Sequence, residues 1–238
     1  LDMYLVETRL AKRNSTSFNT NNIGNTEMLS DKLYRNEGSD SLGHPFFRDV
    51  SKAAGIHDEG YGLGVAIADF NDDGWKDIYV TNDFYTSDVL YINNRNGTFS
   101  NETRKCFKHT SQNAMGNDVA DINNDGLPDI ISVDMNPEDN YRKKKNMLGG
   151  NYFIYQSMIS GNLMLQYVRN TLQLNNGLMK TDSGRTSLPS FSDIAFYAGV
   201  AETDWSWSPS LADFDNDGFR DLLITNGYPR DVTDRDFG

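Results

Sequence analysis

One nine-residue acidic turn is written three times in this chain: DFNDDGWKD at 69–77, DINNDGLPD at 121–129 and DFDNDGFRD at 213–221. Each copy reads D-x-[DN]-x-D-G-x-x-D, with an apolar run before and after it. Side-chain oxygens at positions 1, 3, 5 and 9, and a glycine at position 6 for the sharp turn, make an oxygen-only donor set. Such a set suits a hard divalent cation that takes six to eight oxygens. A single copy can arise by chance as a polar turn, because Asp, Asn and Gly favour turns for their own reasons. Three copies in one register, each flanked by strand-like runs, mark a fold built from repeats.

The candidate side-chain ligands are Asp69, Asn71, Asp73 and Asp77 in the first turn, and Asp121, Asn123, Asp125 and Asp129 in the second. In the third they are Asp213, Asp215, Asp217 and Asp221. With four carboxylates against three and an amide, the third turn binds best on ligand charge alone. Magnesium suits these turns less well than calcium, since it demands near-octahedral geometry and keeps its waters. About three Ca²⁺ sites are expected, with a structural role. A catalytic, Lewis-acid role needs a general base beside an open position, and none is evident.

The repeating unit is longer than the turn. A β-type stretch precedes each turn (63–68, 118–120, 210–212), and a second begins at the ninth-position Asp: DIYVTN, DIISVD, DLLITN. A third follows as LYRN (33–36), LYIN (90–93) and LQLN (172–175), and a fourth lies around 47–50, 98–100 and 191–194. Turn residues at 94–97 and 175–177 separate the last two. Four short strands in about 50 residues is the pattern of a propeller blade. From Asp69 to Asp121 is 52 residues and from Asp121 to Asp213 is 92, so the second unit carries an insertion of 40. Residues 137–170 fit it: the strand pattern stops and helix formers appear, with helices expected at 141–148 and 152–160 about Gly149-Gly150, then an irregular or strand-like return at 163–168.

The expected class is therefore all-β: a β-propeller segment of four-stranded blades with a short helical insertion, which this stretch does not close by itself. The expected division is a partial blade at 1–60, a blade at 61–112, a blade at 113–200 carrying the insertion, and a partial blade at 201–238. The opening LDMYLVE overlays Asp77 to Thr81, which makes Asp2 the ninth residue of a fourth turn whose start lies outside the chain. The Asn/Thr/Ser-rich stretch 14–25 reads as an exposed loop, and the end RDVTDRDFG lacks a closing element.

The net charge of −12 argues against nucleic acid as a partner. Ten of those negative charges stand at ligand positions, where they repel one another unless a cation is present. Three Ca²⁺ would bring −12 to −6. Cys106 is the single cysteine, so no internal disulfide forms. No run is long enough for a transmembrane helix and no signal peptide opens the chain.

At these turns and strands the chain resembles the VCBS/FG-GAP repeat family, whose propellers include the head of integrin α-subunits. It is similar above all to large secreted or surface repeat proteins of Bacteroidota, on residues 109–130 and 203–237. The resemblance covers nearly everything except the Asn-rich loop and the insertion. It implies calcium in each turn, with the carbonyls of Trp75, Leu127 and Phe219 joining the side chains, and an extracellular or cell-surface address. The FG-GAP dipeptides are absent as written; Leu63-Gly64 and Met115-Gly116 fill that place, and Ser208-Pro209 fills it poorly.

Outside the repeats, Arg142, Lys143, Lys144 and Lys145, with Tyr141 and Tyr152, suit either an anionic glycan or acidic partner, or an ordinary solvated helix face. Trp205 and Trp207 suit either sugar stacking or burial between blades. The three histidines are scattered, with no HExxH pair and no G-x-S-x-G elbow. The expected function is thus a calcium-stabilised extracellular binding or scaffold module without catalytic residues, recognising a protein or glycan or joining a larger surface assembly. The alternative is an accessory or catalytic domain of a polysaccharide-degrading enzyme.

Overall fold

The computed structural model describes residues 1–7, 30–84, 86–146, 152–181 and 184–227. The expectations for the Asn-rich loop at 14–25, for Gly149-Gly150 and for the end at 230–238 lie outside the described residues. Four antiparallel sheets follow one another along the chain. The first holds β1 (Met3–Leu5), β2 (Lys32–Ser39) and β3 (Pro45–Asp49), followed by the short helix α1 (Ser51–Ala54). The second is a four-stranded meander, β4 (Gly62–Ala68), β5 (Asp77–Asn82), β6 (Val89–Asn93) and β7 (Phe99–Asn101), followed by α2 (Thr103–Cys106) and β8 (Thr110–Ser111).

The third sheet starts with β9 (Gly116–Ala120) and β10 (Asp129–Val133), then leaves through β11 (Met135–Asn136) into the insertion. There stand α3 (Asn140–Asn146), α4 (Tyr152–Ser160) and β12 (Gln166–Tyr167), which pairs in parallel with β8 and ties the insertion back. The sheet is completed by β13 (Thr171–Thr181) and β14 (Gly184–Asp193). The fourth holds β15 (Asp204–Ala212) and β16 (Asp221–Asn226), with β11 on the other edge of β15. Among the described residues no sheet closes into a barrel. The fold is a partial β-propeller with short helices.

Period-two alternation builds the core. In each second strand, residues one and three past the ninth-position Asp face the preceding sheet, and residues two and four past it face the next. Ile78 and Val80 thus pack with Tyr4 and Val6 of the first sheet. Tyr79 packs across the second interface with Ile130, Phe191 and Phe107. Ile131 and Val133 meet Leu222 and Ile224 across the third. Three separate hydrophobic clusters, one per interface, are the result.

Two details depart from the sequence reading. Residues 175–177 form no turn: β13 runs on to Thr181, and the extra residues are absorbed as a bulge between Asn175 and Leu178. Gly177 carries the positive φ of 77° that makes the site read as a turn. Trp207 is not buried between blades but is 41% exposed. Its backbone, not its ring, packs inward, where a Cβ on Gly116 would lie 2.6 Å from the Trp207 carbonyl oxygen.

Candidate metal centres

The three acidic turns connect the first and second strands of their sheets, and they are built alike to the level of single hydrogen bonds. In the first, the Asp73 and Gly74 amides donate to the two carboxylate oxygens of Asp69, at 3.0 and 2.7 Å. The Asp125 and Gly126 amides do the same to Asp121, at 3.0 and 2.7 Å. The Asp217 and Gly218 amides repeat it on Asp213, both at 3.0 Å. The seventh-position amides of Trp75, Leu127 and Phe219 donate to Asp73, Asp125 and Asp217 at 2.8, 2.9 and 2.8 Å. That bond anchors the residues whose carbonyls the resemblance names as ligands, from their amide side. The fourth residue is left-handed in every copy (Asp72, Asn124 and Asn216 at φ 53°, 59° and 63°), a conformation that Asp and Asn tolerate. The glycine after the fifth position follows at 87°, 87° and 92°.

The ninth-position aspartates do a second job. One oxygen closes the turn by accepting the amide of Phe70, Ile122 or Phe214, each at 2.9 Å. In the second and third sheets the other oxygen reaches the third strand, where Asp77 accepts the Asn93 amide at 2.8 Å and Asp129 accepts the Asn175 amide at 2.7 Å. Asp2 accepts the Asn36 amide at 2.9 Å in the same way, so it occupies the ninth-position place in the first sheet. Burial pushes the Asp77 carboxyl up to about 6, and the charges of Asp73 and Asp69 add to the rise, against the Asn93 and Phe70 amides. Asp129 is likewise raised, first by burial. A cation in either turn would reverse that tendency.

The donor set fits a hard cation. The buried Asn71 side chain gives its amide N–H groups to Asp73 and to the Ser187 carbonyl, at 3.1 and 2.9 Å. Its Oδ1 is left buried with no partner among the described residues. A buried, unpaired oxygen at a predicted ligand position is costly unless something is bound there. In the third turn, carboxylate oxygens of Asp213, Asp215 and Asp221 lie within 4.8 Å of one another. Every donor is oxygen, as calcium requires. When bound, the cation would supply a cross-link between two strands and offset two of the turn's negative charges.

Residues 69–132 match the FG-GAP-like repeat family and residues 205–237 match the FG-GAP repeat family. The family supported is FG-GAP. The two matches contain all three acidic turns. No curated protein matches the chain. Among the described residues no helix is long and apolar enough to cross a membrane.

The basic stretch of the insertion lies on α3, outside both FG-GAP matches. Arg142 is paired with Asp204 and Lys143 with Glu202. Lys145 stands 4.7 Å over the Tyr141 ring, Lys144 is exposed, and Tyr152 is exposed against Phe153. Two of the four cations thus fasten the insertion to the segment ahead of the Trp pair rather than face solvent.

Two further constellations escaped sequence reading. Asp88 is fully buried and accepts the Tyr79 hydroxyl at 2.7 Å and the Asn82 amide at 3.0 Å. Asp31 accepts the Tyr4 hydroxyl at 2.7 Å and the Glu7 amide at 2.9 Å, the same arrangement one sheet earlier. In the third sheet Ile131 replaces the tyrosine. Asn170 replaces the aspartate, accepting the Asp134 amide and donating to Val200 and Thr203 instead. The paired change was visible in the repeat alignment, as Tyr-Asp, Tyr-Asp, Ile-Asn. The other is a half-buried knot in which Asp193 meets His109 at 2.9 Å and Arg169, whose guanidinium lies over Phe196 at 4.7 Å. No spacing in the sequence signals it.

Proposed function

We propose that the chain is a calcium-stabilised, extracellular binding or scaffold module, in which about three Ca²⁺ ions hold the first and second strands of successive blades together. The observation that carries this reading is the hydrogen-bond frame repeated in the three turns, with the orphaned Asn71 oxygen inside one of them. FG-GAP repeats, which often bind Ca²⁺ and are typical of extracellular recognition proteins, point the same way. Division into blades at about 60, 112 and 200 belongs to the same proposal. Recognition of a protein or glycan falls to surfaces the blades leave open, such as exposed Tyr152, Phe153 and Lys144 on the insertion.

Calorimetric titration of the chelator-treated chain tests the metal part. The expected result is calcium binding at about three sites; no binding contradicts it. A glycan array probed in calcium and in EGTA tests the recognition part. Calcium-dependent capture of defined sugars makes the chain a lectin-like reader, and its absence leaves protein scaffolding.

A further inference from the structure

The hairpin joining β6 and β7 differs from its counterparts at one residue. Asn36, Asn93 and Asn175 end equivalent runs, and each accepts the amide two residues on: Gly38, Arg95 and Gly177, at 2.8, 2.9 and 2.9 Å. All three residues that donate those amides are left-handed, with φ of 100°, 62° and 77°. Glycine adopts this conformation freely; arginine does not. A strained residue where both sister copies carry glycine points to a task for its side chain.

That side chain reaches the first acidic turn. The Arg95 guanidinium donates from Nε to Asp73 Oδ2 at 3.0 Å, with the Asp73 side chain only 7% exposed. Asp73 is the fifth-position ligand, and the Arg95–Asp73 pair lies in a cleft of about 410 Å³ that also includes Asn71 and Ser187. In the second turn, among the described residues, the equivalent Asp125 oxygen meets the Asn123 amide alone, at 2.9 Å, and the equivalent hairpin residue is Gly177. A Cβ on Gly177 would sit 3.6 Å from the Leu127 side chain, so this hairpin position overhangs the turn there too.

We infer that Arg95 is a tethered counter-ion that weakens the first turn for divalent cations and makes it the first to empty as calcium falls. This rests on reading the turns as metal cages. A guanidinium on a donor oxygen both occupies a lone pair and repels an incoming cation. It also steadies Asp73 when no cation is present, so the emptied turn is not left with unpaired charge.

The first turn offers its own reporter. Trp75 stands at its seventh position, where the other turns carry Leu127 and Phe219. Terbium, a luminescent calcium substitute, bound there is excited through that indole, and Trp75→Phe supplies the control. Terbium titration of the whole chain, then displacement by calcium, should show Arg95→Gly tightening the first turn roughly two- to fivefold, since the pair is half exposed and worth no more. The gain should shrink as salt rises. Reciprocally, Gly177→Arg should weaken one site in calcium calorimetry, without changing the Trp75 signal. Unchanged or weaker affinity in Arg95→Gly, with wild-type binding intact, overturns the counter-ion role alone. Absence of terbium and calcium binding in every variant overturns the metal reading itself.

Discussion

Asp125 and Asp217 each accept a seventh-position amide at 2.9 and 2.8 Å and stand at proposed ligand positions, yet both sit on exposed turns. Their removal should therefore matter through the metal more than through packing. A cation that binds only the folded form at a hundredfold excess over its Kd contributes about 2.7 kcal/mol. Asp125→Ala or Asp217→Ala should lower the melting temperature in calcium by roughly 5–10 °C and change little in EGTA. Equal losses in both conditions would contradict a ligand role. Asp88 behaves differently. Burial pushes its carboxyl up to about 7, against the Tyr79 and Asn82 bonds, and Asp134 adds to the rise. The folded form then holds a proton the unfolded chain has released, so this stabilisation is full below the usual carboxylate range and is lost as pH rises through about 7. Asp88→Asn should flatten the stability profile between about pH 4 and 7 and leave the variant more stable than the parent at pH 8. Urea denaturation across that range checks it; an unaltered slope would show that Asp88 does not carry the proton.

At the scale of the strand and turn, legibility followed periodicity. The three turns, and the second strands that start at Asp77, Asp129 and Asp221, stand where the repeat puts them, because a ninth-position Asp both closes the turn and opens the strand. Helix α4 is likewise legible, as a run without alternation. The ends of strands were not. β15 begins at Asp204 rather than near 210 because its first residues pair with β11, a contact set by the insertion and invisible in local pattern. The bulge at Gly177 was misread because a positive φ serves a turn and a bulge equally. Arg95 was missed for a related reason: its meaning lies in comparison with Gly38 and Gly177. Close approach of neighbouring first strands explains Gly64 and Gly116, where a Cβ would meet Asn117 Nδ2 at 3.0 Å and the Trp207 carbonyl at 2.6 Å. The latter partner is backbone and cannot step aside. Gly116→Ala should cost about 1–3 kcal/mol in chemical denaturation, whether or not calcium is present; a neutral result would mean the sheets do not approach as described.

For the molecule as a whole, the balance is between apolar interfaces and acidic turns. The three hydrophobic clusters hold sheet to sheet, and the turns gather eleven carboxylates, ten of them at the predicted ligand positions, on a chain of net charge −12. Removing the cation sets those charges against one another, so the chelated protein should regain part of its lost melting temperature as sodium chloride screens them. On the proposed reading the staple is metal, since the buried Cys106, its thiol pushed up to about 12 by burial, is free. The most direct test is a crystal grown in ample calcium and measured for anomalous scattering. A peak inside each turn, bracketed by the first, third, fifth and ninth side chains, is the predicted result. Turns filled only by water, with Arg95 alone on Asp73, would contradict it.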